Sequence, residues 1–247
     1  MSMQQTALVV GGTGRTGGRV LEQLLRRGVA VRAIVRSADR LPSGLADDPG
    51  LTVVEADLLS LDVAGLAMHV RGCDAVVSCL GHVATPRGIF GAPRDLVADA
   101  SRLLCQAIRE SHPHDPIRFV LMSSVSVNHP AGLDTRRGAL ERRALRALCG
   151  VLPPARDNQR AADFLHDDVG ADSPFVQWVA VRPDTLREGD VSDYELHPTL
   201  VSSIFRPDST NMANVAHFMC ELVTDAETWD NWRGKLPVII NAPSAGA

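Results

Sequence analysis

A glycine-rich turn between two apolar segments, within Ala7 to Arg36, constrains the fold of this chain more than any other stretch. Four apolar, strand-favouring residues lead into glycines at positions 11, 12, 14 and 17. Apolar residues then recur at positions 20, 21, 24 and 25, which is the spacing of one helix face, and Gly28 stands where a left-handed residue ends a helix. A second apolar run follows at once, from Ala30 to Val35. The stretch therefore predicts a complete strand–helix–strand unit.

The glycine turn has the chemistry of a dinucleotide phosphate site. Glycines let the chain turn sharply and let a pyrophosphate approach the backbone, while free N–H groups at the helix start attract the anion. The motif alone is weak evidence, because glycine turns also connect strands and helices without binding a ligand. The flanking strands and helix favour dinucleotide binding. The predicted contacts within the turn are Gly11, Gly12, Thr13, Gly14, Arg15, Thr16 and Gly17.

The residue after the second strand predicts which dinucleotide is bound. An acidic residue there would accept hydrogen bonds from the ribose 2′-hydroxyl, but this chain has Arg36, whose donors suit a 2′-phosphate. Arg15 can add a second positive charge near the same phosphate. We therefore predict NADP(H) rather than NAD(H). The alternative interpretation is that both arginines are ordinary exposed charges.

Length and composition favour a globular α/β protein and exclude several classes. The 247 residues suit one such domain with a small appended region, and the net charge of -4 argues against a general nucleic-acid binder. The five cysteines form no CxxC pair and no metal-ligand spacing, which favours buried free thiols in a reducing compartment and no metal site. No signal peptide or membrane-length apolar run is visible. We therefore expect a cytoplasmic protein that acts on a small molecule and does not bind a membrane.

The remaining strand–helix alternation predicts a Rossmann-like, doubly wound parallel sheet. Strands are predicted at 51–56, 75–80, 117–122, 175–181 and 237–241, and helices at 60–70, 95–110, 157–166 and 212–222. Ligands of such folds bind beyond the carboxyl ends of the strands. Asp57 has a second interpretation, as the cap of the next turn. The cofactor contacts expected after these strands are Asp57, Leu58, Cys79, Leu80, Gly81 and Ser123.

Several motifs, taken together, resemble the extended and atypical short-chain dehydrogenase/reductases, close to their NmrA-like, NAD(P)H-binding and epimerase-like members. The resemblance extends from about Ala7 to Asn241. Its motifs are the glycine turn, Asp57-Leu58, the strand that ends in Ser123-Ser124, and the pair Arg182-Pro183.

We expect one compact domain overall, in which two parts are distinguished. A Rossmann-like core over residues 1–185 would bind the cofactor, and residues 186–247 would form a small cap with a returning helix and strand. Pro183 and Leu186 would line the nicotinamide end of the cofactor. The implied substrate space lies near residues 82–93, 124–158 and 186–206.

The resemblance also implies a Ser-Tyr-Lys set, in which tyrosine exchanges a proton, lysine lowers its pKa and serine holds the reacting oxygen. Ser124 occupies the serine position. The single tyrosine, Tyr194, and the single lysine, Lys235, cannot form a Tyr-x-x-x-Lys pair. The stretch 160–165 resembles the family's Lys-x-x-Ala-Glu pattern, and matching the two places Ala155 at the tyrosine position and Gln159 at the lysine position. Three explanations remain open: proton transfer by another group, cofactor binding without turnover, or hydride transfer completed by a solvent proton.

The candidates for a relocated proton donor are Ser124, Asp157, Tyr194 and His197, with His82 less favoured. Asp157 lies one turn from the missing tyrosine, although an aspartate at a helix start is more often a cap. Tyr194 and His197 belong to a polar stretch, residues 187–211, that is predicted to be mostly irregular and to close over the substrate.

A further amphipathic helix is predicted over residues 134–149, above the mouth of the site. Its five arginines either form a solvated face or attract an anionic substrate or an acidic partner.

The leading hypothesis is an NADP(H)-linked oxidoreductase or isomerase, similar to the epimerases, that acts on a small carbonyl or sugar-like compound. The alternative is a non-catalytic NADP(H)-binding regulator that reports the redox state of the cofactor to a protein partner.

Overall fold

A mostly parallel β-sheet with helices on both faces is formed by residues 4–82, 85, 91–136, 138, 141, 153–203 and 205–243, which the computed structural model describes. The strands are β1 (Thr6–Val10), β2 (Ala30–Val35), β3 (Leu51–Glu55), β4 (Ala75–Ser78), β5 (Ile117–Met122), β6 (Val176–Pro183), β7 (Thr185–Arg187), β8 (Tyr194–His197), β9 (Ser209–Asn211) and β10 (Val238–Asn241). The helices are α1 (Arg15–Arg26), α2 (Val63–Val70), α3 (Leu96–Glu110), α4 (Pro153–Asp163), α5 (Met212–Thr224) and α6 (Ala226–Trp232).

The sheet order is β3-β2-β1-β4-β5-β6-β10-β8, and the strands are parallel except for β8, which runs antiparallel to β10. The order reverses at β1 and β4, so their carboxyl ends flank the crevice where doubly wound folds bind ligands. The apolar side chains of α2, α3 and α4 pack on one face of the sheet, and those of α1, α5 and α6 pack on the other. The predicted fold class is confirmed.

Local sequence signals account for the elements around the glycine turn. Gly28 adopts φ +76° directly after α1, as the left-handed position predicted there requires. Every residue of β4 is buried, which matches its uninterrupted apolar run and its central place in the sheet. These features place the end of β4 beside the turn that follows β1.

The start of α4 differs from the prediction of a helix beginning at Asp157. The helix begins at Pro153, so both Pro153 and Pro154 belong to its first turn. Proline is tolerated there because the first N–H groups of a helix have no partner within the helix. Asp157 therefore lies inside the helix rather than at its cap.

The polar stretch at 187–211, predicted to be mostly irregular, contains β8 and β9. β9 pairs in parallel with β7, and β8 pairs with β10, which lies more than forty residues further along the chain. Strands this short are stabilised by remote partners, so no periodic pattern within the stretch announces them. The helix predicted over 134–149 lies largely outside the described residues.

The division predicted at residue 185 separates segments that share one sheet. β10, which comes from the predicted capping part, pairs in parallel with β6 of the predicted core. Helix α5 packs against the same face of the sheet as α1. Among the helices within the described ranges, none has both the length and the apolar content that crossing a bilayer requires.

Candidate functional site

The glycine turn between β1 and α1 is closed by its own backbone. The N–H of Gly14 donates to the carbonyl of Gly11 at 3.0 Å. Gly11 adopts φ +79°, and a Cβ there would lie 2.6 Å from the carbonyl carbon of Cys79. A Cβ at Gly17 would lie 2.2 Å from the Gly11 oxygen. Glycine is therefore required at both positions, by the left-handed backbone and the approach of β4 at the first and by helix–turn packing at the second.

The start of α1 presents hydrogen-bond donors to an anion. Its N-cap is Gly14, which has no side chain to accept from the first-turn N–H groups, and the first turn contains no acidic residue. Free N–H groups and the positive end of the helix dipole together favour a phosphate at this position. The start of α1 therefore keeps N–H groups that can donate hydrogen bonds to a pyrophosphate.

A cavity of about 460 Å³ lies beyond the carboxyl ends of β1 to β4, within the size range of small-molecule sites. Arg36 lies on its wall directly after β2. Asp57 also lines it, and its carboxylate caps the next turn by accepting from the Leu59 N–H at 3.2 Å, while its contact with the cofactor stays a prediction. The predicted contacts on the wall are Gly11, Thr13, Gly14, Arg36, Asp57, Leu58, Cys79, Leu80 and Gly81.

Sequence reasoning missed several wall residues. Some lie at strand ends beside predicted contacts, so extending each prediction by one or two positions identifies them. Arg40 is a second cation on the wall, and the short turn Ala38–Arg40 that carries it is held by Glu55, whose carboxylate accepts from the Ala38 N–H at 3.1 Å. Ala92 and Pro93 belong to the predicted substrate space at 82–93 but not to the predicted cofactor contacts, and no sequence signal identifies Leu96. The missed residues are Val10, Ile34, Val35, Arg40, Ala56, Leu59, Ala92, Pro93 and Leu96.

Four predicted contacts within the turn lie outside the cavity wall, among them Gly17, which packs tightly against Gly11. Gly12 and Thr16 pack inward, since a Cβ at Gly12 would lie 2.7 Å from Leu21 Cδ1 and Thr16 is buried. The side chain of Arg15 is 71% exposed and lies 3.6 Å from the Glu188 carboxylate. Glu188 therefore competes for Arg15, and the shared phosphate of Arg15 and Arg36 stays a prediction.

The predicted contacts on later strands also lie outside the cavity wall. Ser123 is buried after β5, and its hydroxyl has no hydrogen-bond partner among the described residues. Pro183 is buried at the end of β6, beside β10, and Leu186 is an exposed residue of β7. Their predicted contacts with the nicotinamide end remain predictions.

Ser124 keeps a hydroxyl proton that can be donated. The residue is half-buried at the end of β5, and its Oγ accepts a hydrogen bond from the Ser126 N–H at 3.1 Å. Accepting this bond uses an oxygen lone pair and leaves the O–H free. Ser124 is therefore the predicted catalytic residue whose local geometry suits a hydrogen-bond donor.

Asp157 is enclosed by donors rather than poised to exchange protons. Its side chain is 0% exposed, and its oxygens accept from the N–H groups of Val97 at 2.8 Å and Ala98 at 2.9 Å. The Nε2 atom of His82 lies 2.8 Å from Oδ2. This corrects the prediction of Asp157 as a proton donor, because the carboxylate serves the start of α3 and is sealed from substrate.

Tyr194 lies on β8, at the edge of the sheet, and β5, β6 and β10 separate it from β4. Its hydroxyl lies 3.0 Å from His217 Nδ1, and burial raises the pKa of the phenol to about 12. His197, on the same strand, pairs with Glu195 at 3.1 Å. The structure therefore corrects the prediction that Tyr194 replaces the missing tyrosine, because β8 does not reach the cavity.

Gln159 stands at the position that the resemblance assigns to lysine, and its side chain binds the loop after β5. The Gln159 amide accepts from the Asn128 N–H at 2.9 Å and donates to the Asn128 carbonyl at 3.0 Å. It also donates to Asp163 at 2.8 Å. Ala155, at the tyrosine position, is buried. Neither side chain supplies a proton.

The Arg182-Pro183 motif forms a buried structural centre. The Arg182 guanidinium lies 2.7 Å from Asp134 and donates to the Leu236 carbonyl at 2.8 Å. Burial raises the pKa of Asp134, but the hydrogen bond and charge of Arg182, with N–H bonds from Leu200 and His129, hold it below its ordinary value. The guanidinium also donates to the Val127 carbonyl at 3.2 Å, so Arg182 ties β6 to the segments that carry Val127, Asp134 and Leu236.

Residues 11–226 match the profile of a protein family described as NAD(P)H-binding. The match covers most of the chain, including the glycine turn, the cavity and α5. The chain belongs to the NAD(P)H-binding family. This membership confirms the resemblance to the atypical short-chain dehydrogenase/reductases.

Two curated plant proteins resemble parts of this NAD(P)H-binding chain. An isoflavone reductase homolog of Zea mays is 36% identical over 118 residues, covering 44% of this chain and 33% of that protein. An uncharacterized chloroplastic protein of Arabidopsis thaliana is 50% identical over 50 residues, covering 20% of this chain and 18% of that protein. The chain thus spans at most about a third of the curated relatives it matches.

Solved structures share the whole fold. The oxidoreductase ylbE of Lactococcus lactis has a TM-score of 0.70 at 20% identity, covering 96% of this chain and 91% of that one. A wide-type short-chain dehydrogenase/reductase of Veillonella parvula, in complex with NADP, has a TM-score of 0.68 at 16% identity, covering 99% and 98%. ChuY of Escherichia coli, an anaerobillin reductase, has a TM-score of 0.68 at 18% identity, covering 98% and 100%. These similarities show a common architecture.

Proposed function

We propose that this protein is an NADPH-dependent reductase. The observation that carries the proposal is one cavity that combines an uncapped helix start behind a glycine turn with Arg36 and Arg40. NAD(P)H binding is a property of the family, and the preference for NADP(H) is our inference from these two arginines. Both are exposed on the cavity wall, where their donors suit a 2′-phosphate.

The residues on the wall fit such a cofactor from end to end. The turn from Gly11 to Gly14 and the start of α1 would hold the pyrophosphate, since their N–H groups are not used by a capping side chain. Asp57 and Leu58, after β3, would border the adenine. Cys79 to Gly81, after β4, would border the ribose on the nicotinamide side. When bound, the reduced cofactor supplies a hydride.

The substrate that we propose is a small conjugated carbonyl compound or a similar conjugated acceptor. Reduction of an isolated carbonyl forms an alkoxide that needs a positioned acid, and Ala155 and Gln159 provide none. A conjugated acceptor spreads the added charge over several atoms, so a proton from solvent completes the reaction. Two of the proteins that the chain resembles are named anaerobillin reductase and isoflavone reductase homolog, which supports this class.

Ser124 is the residue that we assign to the acceptor. Its free O–H would donate to the oxygen on which charge develops, which orients the acceptor and stabilises the product anion.

We also propose a reducing, cytoplasmic location, because Cys73, Cys79, Cys105 and Cys220 are buried free thiols. Cys149 lies outside the described residues.

Calorimetric titration with NADPH, NADP+, NADH and NAD+ in parallel tests the cofactor assignment. We expect micromolar binding of NADPH and much weaker binding of NADH. NADPH oxidation is then followed with a conjugated enone and, in parallel, with a saturated ketone of the same size. Faster oxidation with the enone supports the proposal, and oxidation only with the ketone contradicts the proposed acceptor class.

The second candidate function is a redox-sensing regulator. The observation that favours it is that Gln159 on α4 and Arg182 on β6 are both bound to the segment after β5, through Asn128 and Asp134, and not free to act on a substrate. NADPH binding without turnover of either acceptor would favour this regulator. No binding to any of the four nucleotides would contradict both functions.

A further inference from the structure

The loop between β4 and α3 is held at both ends by α4. At its start, His82 follows the cavity residue Gly81, and its Nε2 lies 2.8 Å from Asp157 Oδ2. At its end, Asp95 precedes α3, and its Oδ1 lies 2.6 Å from Arg160 Nη1. Asp157 and Arg160 are three residues apart, so they project from neighbouring positions on α4.

Asp157 also caps α3 in place of the residue that precedes this helix. The N-cap Asp95 makes no side-chain hydrogen bond to its own helix. Instead, the Asp157 carboxylate accepts from Val97 and Ala98, the second and third residues of α3. A negative charge at a helix start is stabilised by the helix dipole. One wholly buried carboxylate therefore joins α4, the start of α3 and His82.

Both ends of this attachment lie against the cavity. Gly81 lines it directly before His82, and Leu96, the first residue of α3, lines it directly after Asp95. Ala92 and Pro93, within the loop, lie on the same wall. Because hydrogen bonds to a charged group are short and directional, the Asp157 contacts determine where this wall lies.

We propose that Asp157 is a positioning residue of the cofactor site, acting through His82 and the start of α3 to hold the cavity wall at residues 81 and 92–96. The inference rests on the proposed NADPH-binding function and assigns this site a residue that contacts no ligand. Helix α4 thereby contributes to the site through position rather than through proton transfer.

Substitutions of His82 test this role while leaving Asp157 as the cap of α3. His82→Leu removes the contact with the carboxylate, and His82→Gln retains an N–H donor. We expect His82→Leu to raise the Kd of NADPH about tenfold, the equivalent of one lost hydrogen bond to a charged group, and His82→Gln to restore most of the affinity. The matched control is Arg102→Gln, which breaks the exposed 3.3 Å pair with Asp99 on α3 and should leave the Kd unchanged.

Hydrogen exchange provides a readout that does not depend on the cofactor. We expect faster amide exchange at residues 91–98 in His82→Leu than in the wild type or in Arg102→Gln. If the wild type binds no NADPH, the proposed function fails, and the exchange at residues 91–98 alone decides the positioning role. Unchanged exchange would overturn it. The proposal is also overturned if His82→Leu lowers the Tm while the Kd of NADPH, measured at a temperature well below that Tm, stays unchanged. A merely structural role of the contact would give that result.

A variant at the other end of the loop guards against failure of His82→Leu to fold. Arg160→Gln breaks a half-exposed pair, so the protein should remain folded. We expect faster exchange at residues 91–96 and a Kd for NADPH raised about threefold, in line with the modest strength of such pairs. If neither quantity changes, the two-ended attachment does not hold the wall, and the proposal is wrong.

Discussion

The two halves of the sheet's carboxyl edge differ in how their polar groups are used. In the half formed by β1 to β4, the start of α1 has no capping side chain and two exposed arginines line an open cavity. In the half formed by β5 and β6, polar side chains are engaged by other parts of the protein. Gln159 pairs with Asn128, and Arg182 pairs with Asp134.

This difference separates binding from proton chemistry. Unsatisfied donors beside a cavity can bind an anionic ligand, whereas groups that already satisfy one another stabilise the fold and are not available to a substrate. The half that carries the serine, tyrosine and lysine positions therefore keeps two hydroxyl donors without a protein acceptor among the residues described, Ser123 and Ser124, and only Ser124 is half-exposed. Five predictions test the contrast.

The largest expected effect comes from breaking the buried pair in the β5–β6 half. Asp134→Asn leaves the Arg182 guanidinium buried without a charged partner, which should lower the free energy of unfolding by about 3–5 kcal/mol. Urea unfolding measures this loss. Asp115→Asn, which alters an exposed pair with His114, is the control and should change it by less than about 1 kcal/mol. If Asp134→Asn also lowers the free energy of unfolding by less than about 1 kcal/mol, the buried pair of Asp134 and Arg182 does not stabilise this half of the sheet.

The same variant predicts a pH dependence. Because Arg182 and the N–H bonds lower the pKa of Asp134 in the folded protein, its contribution to stability is present above the unfolded pKa of about 3.9. The contribution is lost as the pH falls through the lower folded pKa. The stability difference between wild type and Asp134→Asn should therefore narrow below about pH 4.

The next largest effect concerns the cofactor half. Arg36→Ala should weaken NADPH binding by about 1.5–3 kcal/mol, the strength of a hydrogen bond to a charged group, and should leave NADH binding unchanged. Arg40→Ala should act in the same direction if both arginines reach the 2′-phosphate. Arg26→Ala, at an exposed position on α1, is the control. Equal losses for NADPH and NADH in Arg36→Ala would contradict the assignment of NADP(H).

A smaller effect is expected at Ser124. Ser124→Ala removes the O–H donor, so turnover of a conjugated acceptor should fall about tenfold while the Kd of NADPH stays the same. Steady-state kinetics and a cofactor titration on the same preparation measure both quantities. Unchanged turnover would show that Ser124 does not hold the acceptor. Other groups would then orient the acceptor for hydride transfer.

The smallest effect is expected where a later segment reaches the start of α1. Glu188 pairs with Arg19 at 2.5 Å and with Arg15 at 3.6 Å; the side chains of Glu188 and Arg15 are largely exposed, and that of Arg19 is half-buried. Glu188→Gln should change the free energy of unfolding by less than about 1 kcal/mol. It should also tighten NADPH binding slightly, because a negative charge near the phosphate site is removed. Asp190→Asn, on the same segment, is the control for a general charge effect.

The cofactor half could be predicted from the sequence because its signals are local. The glycine positions, the periodic α1 and Arg36 all lie within one strand–helix–strand unit, and strand ends identify Asp57 and Cys79. The second half could not be predicted in the same way. The partners of Asp157 lie 59 to 75 residues away in the sequence, and those of Tyr194 and Gln159 lie 23 and 31 residues away.

The sequence by itself determined the Rossmann-like sheet, the family, the glycine turn and the absence of a Tyr-x-x-x-Lys pair. Hydrophobic period, glycine spacing and residue identity are properties of the chain alone. Only the tertiary structure decided that Arg40 joins Arg36 on the cavity wall, that Glu188 engages Arg15, and that Asp157 caps α3. The physical reason is that polar groups in a folded chain are satisfied by whichever donors and acceptors the packing brings close. That pairing depends on the topology of the sheet.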